Sequence, residues 1–151
     1  MSDPTPVSAP EAVDPRIVRF IGRHHVLTLA TVSATGTPYC ANLFYAYLPE
    51  RNRFVFTTDT TTRHGSEMAA CAQVAASVVL ETRTVGLVQG LQIEGLAERP
   101  EGDLLQEARN AYLRRFPYAA VADLTLWTLA PTLLKLTDNK LGFGKKLIWH
   151  G

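Results

Sequence analysis

Val26-Leu27-Thr28-Leu29-Ala30-Thr31-Val32, followed after Ser33 by Ala34-Thr35-Gly36-Thr37, decides the fold class of this chain. The first run is apolar and β-branched and the second is turn chemistry, so together they read as a strand entering a tight turn. Residues 39–48 make a second run, rich in aromatics (Phe44, Tyr45, Tyr47), which ends in the turn Pro49-Glu50-Arg51-Asn52. Residues 53–58 make a third, with Phe54 and Phe56 on one face and Val55 on the other. Three strands joined by short turns predict an antiparallel meander.

Upstream, Asp14-Pro15 is an N-cap followed by proline at the first helical position, and Ile17, Phe20, Ile21 and His24 recur at helical spacing. A short helix over 15–24 is expected, with residues 1–14, which hold Pro4, Pro6 and Pro10, as a mobile leader. Downstream, Met68, Ala69 and Ala72 give a short helix its apolar side, and strands are expected over 73–82 and 86–99. The second of these is interrupted by Gly90 and Gly95, which in a strand mark a bulge, a bend or a close approach. Asp103-Leu104-Leu105-Gln106 resembles a capping box, and Leu104, Leu105, Ala108, Tyr112 and Phe116 form a stripe that stops at Phe116-Pro117. A last strand over 124–137 precedes the tail. The order does not alternate strand and helix, which disfavours a parallel doubly wound sheet. The expected fold is mainly β (α+β): about six antiparallel strands bent into a small barrel, with peripheral helices, in one domain over 15–151.

Composition narrows the function classes. Of 151 residues, 46% are hydrophobic and 19% charged, enough for one sizeable core. Fifteen Lys+Arg against fourteen Asp+Glu argue against a broad nucleic-acid surface or a polybasic membrane patch. No apolar run is long enough to span a bilayer and no secretory signal opens the chain, so a cytoplasmic protein is expected. Cys40 and Cys71 stand apart without metal-ligand spacing and read as two small buried thiols.

The stretch that carries chemistry is Thr57-Thr58-Asp59-Thr60-Thr61-Thr62-Arg63-His64. Hydroxyls and an arginine sit where a strand ends and a helix begins. Unpaired N–H groups at a helix start attract anions, and a guanidinium grips two phosphate oxygens at once. The same residues also suit a solvated turn that merely caps a helix, and spacing leaves both readings open. His24-His25 reads as a helix-end residue and a strand-start residue rather than a metal or haem pair. Glu81, Glu94, Glu98 and Asp123 show no spacing of a carboxylate pair, and no Ser-His-Asp, HExxH or Walker pattern is present.

Thr62-Arg63-His64-Gly65-Ser66-Glu67-Met68 after a strand is similar to the phosphate-holding turn of the pyridoxamine-5′-phosphate oxidase-like split β-barrels. Residues 89–99 resemble that family's glutamine-containing V-E-G-x-A-E-R strand. Asn42-Leu43-Phe44-Tyr45, Arg114-Arg115-Phe116-Pro117 and the tail over 137–146 resemble the YhbP-like group within it. The resemblance spans residues 16–149 and implies a six-stranded split-barrel homodimer with FMN, or another flavin or deazaflavin, in clefts between subunits. It implies that Thr57, Thr58, Thr62, Arg63 and His64 take the phosphate. Asn42, Leu43, Phe44 and Tyr45 would border the isoalloxazine ring, and Gln89 or Gln92 would reach a ring edge from the partner. His64 stands where the family usually has lysine, exchanging a permanent charge for one that titrates near neutrality. The Arg-x-His signature that holds pyridoxine phosphate in the oxidases has no counterpart.

The expected function is therefore a flavin-dependent oxidoreductase acting on an unknown small molecule other than the vitamin. The alternative is a non-catalytic ligand-binding or dimerisation module with an eroded flavin site, and haem breakdown follows only by analogy of fold. In the tail, the glycines around Phe143 bring Lys145 and Lys146 toward an anion on one reading. On the other, which is preferred, Leu147, Ile148 and Trp149 close the barrel as a strand and the lysines stay in water.

Overall fold

Tyr45 is the pivot of the architecture. In the computed structural model, which describes residues 10–151, the aromatic run over 39–48 is not one strand but two. They are β2 (Pro38–Phe44) and β3 (Ala46–Leu48), parted by Tyr45. β2 pairs with β1 (Val26–Val32), and β3 pairs with β4 (Arg53–Thr57). Each is a hairpin, yet β2 and β4 form no ladder, so the expected meander breaks in the middle. The remaining elements are α1 (Pro15–Arg23), α2 (Arg63–Ala70), β5 (Gln73–Val79), β6 (Gln89–Glu98), α3 (Gly102–Arg115), β7 (Leu126–Asp138) and β8 (Lys146–His150). The sheet runs β2-β1-β5-β6-β7-β4-β3, all antiparallel, with β8 added on β7. Its two ends are consecutive in the chain, so the sheet curls until they meet at the bend: an antiparallel split barrel, of eight strands rather than six.

Two features hold the bend. The Tyr45 ring is fully buried, and its hydroxyl donates to Ile21 O at 2.7 Å, tying the pivot to the end of α1. Arg115, at the end of α3, donates to Tyr45 O, Gly22 O and His24 O and so satisfies carbonyls that the end of α1 leaves open.

Inside the curl, Leu27, Leu29, Phe54, Phe56, Leu91, Ile93, Leu134 and Leu136 make one core, and Ile17, Phe20 and Ile21 of α1 plug its end. Val55 does not face water. It joins Ala46, Leu126 and the α3 residues Ala108, Tyr112 and Phe116 in a second, smaller core, which leaves β4 buried on both faces. α3 starts at Gly102 after Glu101 with no side-chain cap, so the expected capping box at Asp103 does not form, and Leu105 stays exposed. α2 buries Gly65, Glu67 and Met68 rather than Ala69.

Gly95 marks a real irregularity. The β6–β7 register slips between Glu94 and Gly95, and a Cβ on Gly95 would stand 2.4 Å from Ala130 O. Pro131 lies opposite, where the free edge of β7 passes from β4 to β8, so its missing N–H interrupts no ladder. The tail took the strand reading: Leu147, Ile148 and Trp149 pair with β7, and Lys145 is exposed. Of the expected leader, residues 1–9 lie outside the described ones. Order starts before Asp14, since Val13 packs on the core and Glu11 O accepts from Trp149 Nε1.

Candidate functional site

Where β4 ends, the chain must leave a strand and enter α2 within a few residues, and the threonines do this work. Thr58 N donates to Thr125 O at 3.1 Å, and Thr58 O accepts from Trp127 Nε1 at 3.2 Å, which pins the corner to β7 and the segment before it. Asp59 Oδ1 accepts from Thr61 N at 2.8 Å and from Thr61 Oγ1 at 2.9 Å, making the turn. Thr62 is the N-cap: its Oγ1 accepts from Gly65 N at 3.0 Å and donates to Asp59 O at 2.8 Å. Gly65 is required by close approach, because a Cβ there would stand 2.1 Å from Asp59 O.

Two expected phosphate ligands are turned inward. Thr58 is 8% exposed, and its hydroxyl bonds His64 Nε2 at 2.6 Å and Thr62 Oγ1 at 3.1 Å. Thr57 Oγ1 donates to Tyr112 OH at 3.4 Å. Burial lowers the His64 pKa below its ordinary value against the weaker opposing pull of Glu67, which favours the neutral imidazole. Arg63, by contrast, faces outward. Its Nε donates to Glu67 Oε1 at 2.9 Å, and its guanidinium lies over the Tyr39 ring at 4.1 Å from the centroid. Glu67 Oε2 takes the Thr31 hydroxyl at 2.9 Å. These bonds, that to Arg63 foremost, hold the Glu67 carboxyl below its usual range. Arg63 is thus clamped at Nε with both Nη groups free, and the backbone N–H groups of Arg63 and His64 have no acceptor among the described residues. The outward guanidinium, drawn along the helix to Glu67, and the two open N–H groups at the helix start are donors of the kind that suit a phosphate.

Glu67, Tyr39 and Thr31 escaped the sequence reading. The Arg63–Glu67 spacing of four on a helix was a legible signal. Nothing local announces that β1 and β2 bring Thr31 and Tyr39 under α2.

The second-strand residues divide by parity. Asn42 and Phe44 are on the outer face of the barrel, where Asn42 Oδ1 accepts the Thr28 hydroxyl at 2.8 Å and Phe44 is 52% exposed beside Phe116. Leu43 packs inward on the core. Tyr45 borders no cleft: the bend drives its ring into the interior, where burial also pushes its phenol well above the usual range. Alternation likewise separates the glutamines. Gln92 is on the outer face, in a row with Asn42, Thr28, Ser77 and Lys135. Gln89 is buried on the inner face at the end plugged by α1, far along the strand from the threonine corner, so it is not turned toward an outside partner. Lys145 lies at that same far end within the protomer, next to β8. Cys40 is exposed on the outer face, against the expectation of burial, because the even positions of β2 all point out.

That outer face is little covered and locally hollowed. Thr28, Ala30, Cys40, Ala75, Ser77 and Gln92 border a depression of about 480 Å³, and a second of about 550 Å³ adjoins it. Small side chains at Ala30 and Ala75 leave the hollow between them. No group of His, Cys, Asp and Glu able to hold a metal occurs among the described residues, nor is any described helix long and apolar enough to cross a membrane.

Comparison with known proteins identifies the fold and the family. The family model for pyridoxamine 5′-phosphate oxidase matches residues 13–137. A UPF0306 protein of Photorhabdus laumondii is 41% identical over 135 residues, covering 89% of this chain and 93% of its own. The UPF0306 protein YhbP of Salmonella arizonae is 41% identical over 133 residues, covering 88% and 90%. Among solved structures, a heme binding protein from Mycobacterium smegmatis superposes with a TM-score of 0.75 at 25% identity, over 95% of this chain and 60% of that one. A FAD-binding protein from Mesorhizobium loti superposes at 0.65 and 16% identity, over 81% and 90%. The chain belongs to the pyridoxamine 5′-phosphate oxidase family, and within it to the YhbP-like UPF0306 group.

Proposed function

We propose that this protein binds FMN as a homodimer and acts as a flavin-dependent oxidoreductase on a small molecule. The observation that carries the reading is Arg63: fixed by Glu67 at one nitrogen, stacked on Tyr39, and open at both Nη groups, on a helix whose first N–H groups, those of Arg63 and His64, are unpaired. These groups would take the phosphate of the flavin. Thr58 and Thr62 act behind them, holding His64 and the helix start in place. Asn42, Phe44 and Gln92 line the outer face that would meet the ring, and a second copy seated on that face would supply the other wall and exclude water. The flavin, when bound, supplies the electron transfer; the chain's own part is to grip, orient and dry it.

The test is direct. Purified protein titrated with FMN should quench the flavin's fluorescence, and Arg63→Ala should weaken uptake by about 1.5–3 kcal/mol, the range for a hydrogen bond to a charged group. Unchanged affinity in that variant removes Arg63 from the role. Sedimentation of the loaded protein should give a dimer. A second reading is favoured by one observation, the inward wiring of Thr58 and His64. On it the scaffold is a non-catalytic binder whose flavin seat has closed, and an FMN titration that stays flat from pH 5.5 to 8 selects it.

A further inference from the structure

We propose that the arginine face of α1, together with the turn after β7, forms a binding site for a phosphoryl group, separate from the flavin reading. Arg16, Arg19 and Arg23 recur along α1, and Lys140 comes across from the turn Asn139–Leu141, so four cationic side chains border a cavity of about 260 Å³. Asp138 is the one carboxylate on its wall, and its Oδ1 accepts the Lys140 N–H at 2.9 Å. Arg16 is paired with Asp14 at 2.8 Å, but Arg19, Arg23 and Lys140 have no ion pair among the described residues.

Gln89 makes this more than a charged surface. It is 7% exposed, on the inner face of β6 with Leu91 and Ile93, and it lines the same cavity. Its side-chain amide has no hydrogen-bond partner among the described residues, and its polar atoms open into the cavity rather than being sealed in the core. The missing partner is water or a ligand, and the charge around the amide selects an anion. The spacing of the arginines argues the same way. Like charges three and four apart on a helix oppose it slightly, and Arg19 and Arg23 have no ion pair to offset this, only the more distant Asp14 and the helix C-terminus. Guanidinium, ammonium and amide donors reaching in from different elements suit the three oxygens of a phosphoryl group better than the flat pair of a carboxylate. The cavity is smaller than those that take drug-sized ligands, so the occupant is free phosphate or a phosphate monoester with a short tail.

The test follows the Gln89 side-chain amide by two-dimensional ¹⁵N–¹H NMR while the full chain is titrated with inorganic phosphate and, separately, with glycerol 3-phosphate. Sodium chloride at matched ionic strength is the control. The Gln89 signal should move and saturate with both phosphates and not with chloride. An Arg63→Ala background should leave the response unchanged, which keeps this site apart from the threonine corner. The double variant Arg19→Gln/Arg23→Gln changes exposed positions and should weaken the response by about ten-fold or more, with Lys140→Gln weaker by several-fold. Tighter binding of glycerol 3-phosphate than of phosphate identifies a monoester as the occupant, and equal binding identifies phosphate itself. A shift that chloride reproduces, or one that survives in the double variant, overturns the site.

Discussion

The threonine corner and the arginine face of α1 lie at opposite ends of one barrel and meet the same problem, how to present positive charge, in opposite ways. At the corner, side chains are tied to each other before any ligand comes: Thr58 to His64, Thr62 to Gly65 N, Arg63 to Glu67, Glu67 to Thr31. Along α1 the charge is greater, but only Arg16 is tied, to Asp14. The corner has surrendered most of its donors to gain a fixed geometry. The helix face keeps its donors free and leaves their ordering to whatever binds. Pre-ordered groups lose less entropy on binding, whereas a loose cationic face gains from charge and is more sensitive to salt.

The largest effect should come from backbone packing at the corner. Gly65→Ala places a Cβ 2.1 Å from Asp59 O, a backbone atom that cannot move without undoing the Asp59 turn. A loss of about 2–3 kcal/mol is expected, the upper part of the range for an overpacked site, together with loss of the Thr62 cap. Gly22→Ala in α1 is the counterpart. Nothing lies within 4 Å of the added atom, so thermal unfolding should show a gain of roughly 0.5–1 kcal/mol from helix propensity. Equal effects at the two glycines would contradict the claim that one end is built tight and the other open.

Next in size is the cap itself. Thr62→Ala removes the acceptor of Gly65 N and the neighbour of Thr58 Oγ1, and denaturant melts should show a loss of about 1 kcal/mol. Thr62→Ser keeps both bonds and should restore nearly all of it. A Thr62→Ala variant as stable as the parent would mean that solvent caps α2 equally well.

Acidification addresses both ends together, because each holds a partly buried histidine. His64 sits in the corner, and His24 follows α1 with its ring against Phe20. Burial is the leading cause that lowers both below the ordinary value of 6.5, and at His24 the neighbouring cations His25, Arg23 and Arg115 add to it. The unfolded chain therefore binds protons first, and stability must rise with pH across the interval from the folded values up to 6.5. Melting temperature should accordingly fall as pH drops from 7.5 to 5.5. His64→Gln and His24→Gln should each flatten part of that slope. The lowered carboxyls, Glu67 among them, act only further down, below their ordinary 4.5. A slope unmoved by both substitutions would show that neither ring is held neutral by the fold.

Local pattern carried much of this molecule. The run over 26–32, the hairpin turns, Gly95 and the tail strand were legible because each depends on a few neighbouring residues. The corner, too, could be found as a strand end meeting a helix start. What stayed hidden was long-range. That Tyr45 ends one strand and opens another depends on Ile21 and Arg115, from helices at either side of it in sequence. That Thr58 is taken by His64 depends on the exact path of the turn. That Gln89 faces in while Gln92 faces out follows from parity, but only once the register against β7 is known.

The smallest expected effect tests the comparison by its sign. Arg19 and Arg23 are four apart on an exposed helix face with no acid between them, so Arg19→Gln should stabilise the ligand-free protein by a few tenths of a kcal/mol at low salt. Arg63 is also four from its neighbour, but that neighbour is Glu67, whose side chain is 10% exposed and otherwise holds only the Thr31 hydroxyl. Arg63→Gln should therefore destabilise, since it leaves a nearly covered carboxylate without its cation. Salt should erase the first effect almost entirely, because the charges are in water, and diminish the second only in part. Paired melts of the two variants at 20 mM and at 500 mM sodium chloride read both sign and screening. Parallel behaviour of the two would mean that Arg63 is as loosely held as Arg19, and the distinction between a wired corner and an open helix face would fall.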